Sequence, residues 1–167
     1  MKDIRNIMVA VYFSPISQHL VGYAWALGQK INAAIDLVNV INQRDVEALS
    51  KVADVTSAFS FPDELNRMRE ERLTALTALL SDLDIPLEAI GRHVRTGIPY
   101  ETLISAIKEL DADLLIMGTR GRGQFSGMLF GSTAARMLSK CPVPLLTLNE
   151  TSVVASSSCS TPLRSRI

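Results

Sequence analysis

The apolar run Leu114-Leu115-Ile116-Met117 stops at Gly118-Thr119-Arg120-Gly121, and nine residues then separate Gly121 from Gly131-Ser132-Thr133. A short run this apolar reads as a strand buried on both faces. Glycines directly behind it let the backbone turn through positive φ and approach a ligand closely. Gly131-Ser132-Thr133 reads as a helix start, whose first turn exposes unpaired N–H groups that favour anions. Strand, glycine loop and helix start together predict a cradle for a phosphorylated ligand, with Arg120 and Arg122 adding positive charge. The pattern is neither the Gly-Lys-Ser/Thr of a P-loop nor a Gly-x-Gly-x-x-Gly turn behind the first strand.

The rest of the chain alternates apolar runs with amphipathic segments, the signature of an α/β fold with a parallel sheet. Strands are predicted at residues 7–11, 35–41, 87–94, 113–117 and 143–148. Ser14-Pro15 reads as a helix start, followed by Leu20, Ala24, Leu27 and Ile31 on one face. Phe61-Pro62-Asp63-Glu64 opens another helix, with the stripe Leu65, Met68, Leu76, Leu79 and Leu83. A helix over residues 98–110 turns Tyr100, Leu103, Ile107 and Leu110 to one side; the helix after the glycine loop carries Ala134, Met137 and Leu138. Residues 42–60 are a long, polar-to-mixed connection to which no element is assigned. The strand at 87–94 is interrupted by Gly91, and Pro144 removes a ladder donor from the last one, so both belong at sheet edges.

Composition narrows the function classes. The 167 residues are 47 % apolar and 20 % charged, with 17 basic against 17 acidic groups. A zero net charge argues against a general nucleic-acid binder. No run reaches the roughly 18–20 apolar residues of a membrane span, and Met1-Lys2-Asp3-Ile4-Arg5 has no signal-peptide core, so a cytoplasmic protein is expected. Cys141 and Cys159 form no ligand cluster, and neither His19 nor His93 has a partner at ligand spacing, so no metal site is predicted. Residues 150–167 turn Ser- and Thr-rich, which reads as a disordered tail behind a domain over residues 1–149.

The spacing G-x2-G-x9-G-S from Gly118 to Ser132 resembles the signature of the universal stress protein family. The likeness extends to other segments. Arg5-Asn6-Ile7-Met8-Val9-Ala10-Val11 with Phe13-Ser14-Pro15 is similar to that family's first strand and turn. Thr96-Gly97-Ile98-Pro99 is similar to the turn before its third helix, and Cys141-Pro142-Val143-Pro144-Leu145-Leu146 to its last strand. This resemblance implies a doubly wound, five-stranded parallel sheet of order 3-2-1-4-5 with helices on both faces. It implies a ligand crevice between the first and fourth strands, where the winding reverses.

The resemblance further implies an adenine nucleotide: ATP, or the related AMP or ADP, with Mg2+ held only through the phosphates. Carried over by position, Ala10 and Tyr12 border the nucleoside and Val40 offers backbone groups to the base. Met117, Gly118 and Gly121 flank ribose and phosphates, while Gly131, Ser132 and Thr133 hold the phosphate tail, with Arg120 and Arg122 beside it. The resembled family pairs its last strand across a homodimer interface, here residues 143–148. At one position the pattern departs: nucleotide-binding members usually carry aspartate where this chain has Tyr12. A neutral phenol in place of a carboxylate acceptor costs about 1–3 kcal/mol if a ligand group is left unpaired.

The expected role is therefore a stress-response regulator that binds a nucleotide and acts through dimerisation and a protein partner. The alternative is a nucleotide-free dimeric interaction module whose cleft Tyr12 blocks. A third reading, an ATPase, lacks a visible base or metal carboxylate in the loop, so no catalytic residue is predicted and any turnover would be slow.

Overall fold

The computed structural model describes residues 3–55, 60–119 and 131–149. The tail from residue 150 onward lies outside the described residues. Strand β1 (Asn6–Ala10) leads to helix α1 (Ser17–Ile31), β2 (Ala34–Asn42), α2 (Gln43–Val55) and α3 (Phe61–Ser81). Then follow β3 (Gly91–Gly97), α4 (Pro99–Glu109), β4 (Leu114–Gly118), α5 (Ser132–Lys140) and β5 (Leu145–Leu148). All strand pairings are parallel, and the order is β3-β2-β1-β4-β5.

Alternation along the strands divides the core in two. Ile7 and Val9 join Leu37 and Ile116 on one face, packed by Leu20, Val21 and Ala24 of α1 and Leu76 and Leu80 of α3. Met8, Val38, Leu115 and Met117 point the other way, under Leu103, Ala106 and Ile107 of α4 and Ala134 and Met137 of α5. Helices thus cover both faces of the sheet, which is why its central strands read as unbroken apolar runs. Burying one such side chain contributes about 1.5–3 kcal/mol. Gly28 of α1 allows the close approach to β2: a Cβ there would stand 2.7 Å from Cδ1 of Ile35.

The buried carboxylate of Asp113 fastens the start of β4 to the start of β1. Its Oδ2 accepts from the main-chain amides of Arg5 at 2.9 Å and Asn6 at 3.1 Å. At the sheet edge, Oδ1 of Asp36 on β2 lies 2.7 Å from Nε2 of His93 on β3. Among the described residues, no helix is long and apolar enough to cross a membrane.

Several local expectations need correction. The first helix begins at Ser17, because Ser14 to Ile16 form a turn in which the Ser14 amide donates to Ser17 Oγ and the Ser17 amide to the Ser14 carbonyl, each at 2.9 Å. Ile31, expected on the buried face, is exposed, since the chain leaves α1 there through Asn32 in a left-handed conformation. The connection at 42–60 contains α2, where Val46, Leu49 and Ala53 recur at helical spacing among polar residues. The third strand covers Gly91–Gly97, not residues 87–94; residues Leu87–Ala89 form a 3-10 turn. Its residues are all half-buried, as at an edge, so apolarity did not mark its start. The last strand begins at Leu145, because Pro144 has no amide and contributes only its carbonyl, which accepts from Leu115 at 3.0 Å. Leu138 is half exposed, and Leu80, absent from the expected stripe, is fully buried. Both β3 and β5 lie at edges as expected.

Candidate functional site

Strands β2 and β3 extend from β1 in one direction and β4 and β5 in the other, so the winding reverses between β1 and β4. Ligands of such sheets bind beyond the carboxyl ends of the strands at that reversal. Ala10 and Met117 are register partners there, which brings two of the predicted residues side by side.

Beyond Ala10, the Val11 amide donates to the Val38 carbonyl at 2.9 Å. Phe13 then adopts φ 50, in the left-handed region that disfavours an L residue. That turn lifts the chain from the strand towards α1 and sets Tyr12 at the strand end. Phe13 is held in place by packing on the core and by the guanidinium of Arg72, 5.4 Å from its ring centroid.

Beyond Met117, Gly118 pairs with Leu148 and the buried Thr119 donates its amide to the Leu148 carbonyl at 2.9 Å. The Thr119 carbonyl in turn accepts the Gly131 amide at 2.9 Å. The glycine loop therefore starts and ends at one point. Arg120, Gly121 and Arg122 lie outside the described residues. The Gly131 amide is committed to this closure, so the first-turn amides without an intrahelical acceptor are those of Ser132, Thr133 and Ala134. No side chain caps α5 and its first turn has no acidic residue, so the positive end of the helix is not neutralised locally.

On the β2 side, Tyr12, Asn39, Val40, Asp45 and Arg72 line a cleft of about 200 Å3, open solvent included. The structure thus brings Tyr12 and Val40 together, and adds three residues that the sequence reading missed. Asp45 comes from the first turn of α2 and Arg72 from the middle of α3, and nothing local in the sequence connects them to the strand end. Asn39 did leave a signal: it is the polar residue inside the apolar stretch from Leu37 to Ile41. Among the described residues no group of three or more His, Cys, Asp or Glu could hold a metal ion.

Residues 3–149 match the family model described as the universal stress protein family. The chain belongs to the universal stress protein family. It is 30 % identical over 152 residues to the universal stress protein E homolog of Haemophilus influenzae, covering 87 % of this chain. This universal stress protein spans about half the length of that relative, 48 %. The solved structure of MJ0577, a protein of Methanocaldococcus jannaschii, superposes with a TM-score of 0.72 at 18 % identity, covering 89 % of this chain and 98 % of that one. A universal stress protein solved in complex with cAMP superposes with a TM-score of 0.58 at 17 % identity, covering 89 % and 98 %. At these identities the solved structures establish the shared fold.

Proposed function

We propose that this universal stress protein binds an adenine nucleotide, ATP foremost, at the carboxyl ends of β1 and β4, and works as a cytoplasmic homodimer whose partner choice responds to occupancy. The observation that carries this reading is the pairing of Ala10 with Met117 at the point where the winding reverses. That pairing puts the cleft at Tyr12 and Val40 and the uncapped start of α5 at the same end of the sheet. The residues present fit such a guest: a phenol ring and a valine for the base, and a helix start for the phosphates. The fold shared with a cAMP complex supports the same ligand class. Micromolar binding requires about 8 kcal/mol, which several contacts of about 1–3 kcal/mol each can supply and one cannot. No residue is assigned a catalytic role. Edge strand β5 supports dimerisation, since its outer side is the natural place for a second copy to pair. Equilibrium dialysis of the full chain with ATP tests the proposal. Saturable binding that Ser132→Glu abolishes is expected; no saturable binding rejects it.

One observation favours the nucleotide-free reading. The cleft encloses only about 10 Å3, space for roughly one water and far below the roughly 300–1,000 Å3 of ordinary ligand pockets, and Tyr12 forms part of its wall. Tyr12→Asp separates the two. A large gain in ATP affinity means that the phenol blocks the cleft, and little change means that it lines an open one.

A further inference from the structure

The sheet ends in two edge strands of unlike build. Strand β5 has four residues behind Pro144, whereas β3 has seven in continuous parallel register with β2, none of them proline. Among the described residues β3 pairs on that side alone, and an edge of this length is a template for a further strand. Helix α3 runs antiparallel along it: Nη2 of Arg69 reaches Oγ1 of Thr96 at 3.5 Å, and Nη1 of Arg92 donates to Oγ1 of Thr77 at 2.7 Å. The two elements match in length there, since four strand residues and eight helical residues each span about 12–13 Å. Between the ties lie Leu73, 43 % exposed, and the half-buried Val94. Arg67 and Arg95, on the same helix and strand, pair with the carboxylates of Glu64, Glu71 and Glu109. Arg69 and Arg92 find only hydroxyl partners among the described residues.

We infer that the trough between α3 and β3 receives an extended acidic segment of a partner protein, added to the sheet as a further strand on β3. The segment carries two carboxylates four residues apart and an apolar residue midway. In a strand, residues i, i+2 and i+4 share one face. The two carboxylates then meet Arg92 and Arg69, and the residue between them meets Leu73, in either strand direction. Guanidinium and carboxylate join through paired bonds, which set register as well as attraction. Charge decides among the occupants. A second copy of β3 would bring arginine against arginine, and like charges facing across strands repel. The chain's own residues after Glu150 contain two arginines and no acid, so they do not fit either. Strand β3 lies two places from β1 in the sheet, and the inference stands apart from the nucleotide reading.

The test is fluorescence anisotropy of the labelled peptide Thr-Glu-Thr-Val-Thr-Glu-Thr with the full chain and no nucleotide. Saturable binding is expected, weakened about tenfold when both glutamates are replaced by glutamine. A peptide of the same composition with its glutamates adjacent should also bind more weakly, because one of them then faces away. Of two peptides N-methylated at alternate residues, only the one methylated on the amides turned to β3 should lose binding. Arg69→Gln and Arg92→Gln should each weaken the parent peptide several-fold and leave the glutamine peptide unchanged. No saturable binding overturns the proposal, and so does equal binding of the glutamate and glutamine peptides. Equal binding of the rearranged peptide means charge without register and overturns it too, as does an equal effect of the two methylation patterns. The peptide comparisons use wild-type protein alone, so the outcome does not depend on either variant folding.

Discussion

The main-chain amide of Gly131 donates to the carbonyl of Thr119 across 2.9 Å, tying the start of α5 to the end of β4. Gly131 has φ −69, which suits alanine and proline alike, but proline has no amide. Gly131→Pro should therefore be less stable than Gly131→Ala by about 1 kcal/mol in urea unfolding. Equal midpoints and slopes would show that the closure contributes nothing.

Asp113 joins two strands through one carboxylate. Asp113→Ala leaves the amides of Arg5 and Asn6 without their acceptor and should lower stability by about 2–3 kcal/mol. Asp113→Asn retains an acceptor oxygen and should lose less. Denaturant titrations of both variants check the order.

Gly91 leaves the space that the Asp36–His93 pair occupies. A Cβ at residue 91 would lie 1.9 Å from Oδ1 of Asp36, so Gly91→Ala forces the carboxylate off His93. The expected loss is about 1–3 kcal/mol. In the double variant with Asp36→Ala the obstacle is gone, and the two losses should fall short of additivity. Strict additivity would contradict the steric account.

Burial pushes the Cys141 thiol above its ordinary value, and a hydrogen bond with the backbone of Val143 offsets part of the rise. The thiolate fraction is then smaller than in the unfolded chain at mildly alkaline pH. In a Cys159→Ser background, iodoacetamide should modify the folded protein more slowly than the urea-unfolded one at pH 8. Because the folded state holds this proton more tightly, ionisation opposes folding only as pH rises through the ordinary thiol range, and not below it. Equal alkylation rates would count against the shift.

The parts legible in the sequence were those whose burial is two-sided. Ile7, Val9, Leu115 and Ile116 announced central strands because helices cover both faces. The order of the strands came from family resemblance, since periodicity carries no information on which strand neighbours which. Helix α2 escaped because its few apolar residues are scattered among charges, and β3 was expected as an edge strand but misbounded, because such a strand can be built from Arg92, Arg95 and Thr96 as readily as from valines. Tyr12 and Val40, which line one cleft, were named by their position in the family pattern. Asp45 and Arg72 arrive on helices whose placement only the folded chain reveals. Asn39 stood in plain view between Val38 and Val40, but its bond to the Val11 carbonyl is a property of three dimensions.

The middle of the sheet is occupied by the earliest of its five strands in chain order. Asn6 meets Asp113 across 107 positions of chain, so β1 keeps one bare edge until β4 has left the ribosome. Such distant pairing makes assembly slow and late. Until β4 is made, β1 can pair only with β2, and its other edge stays open to wrong partners.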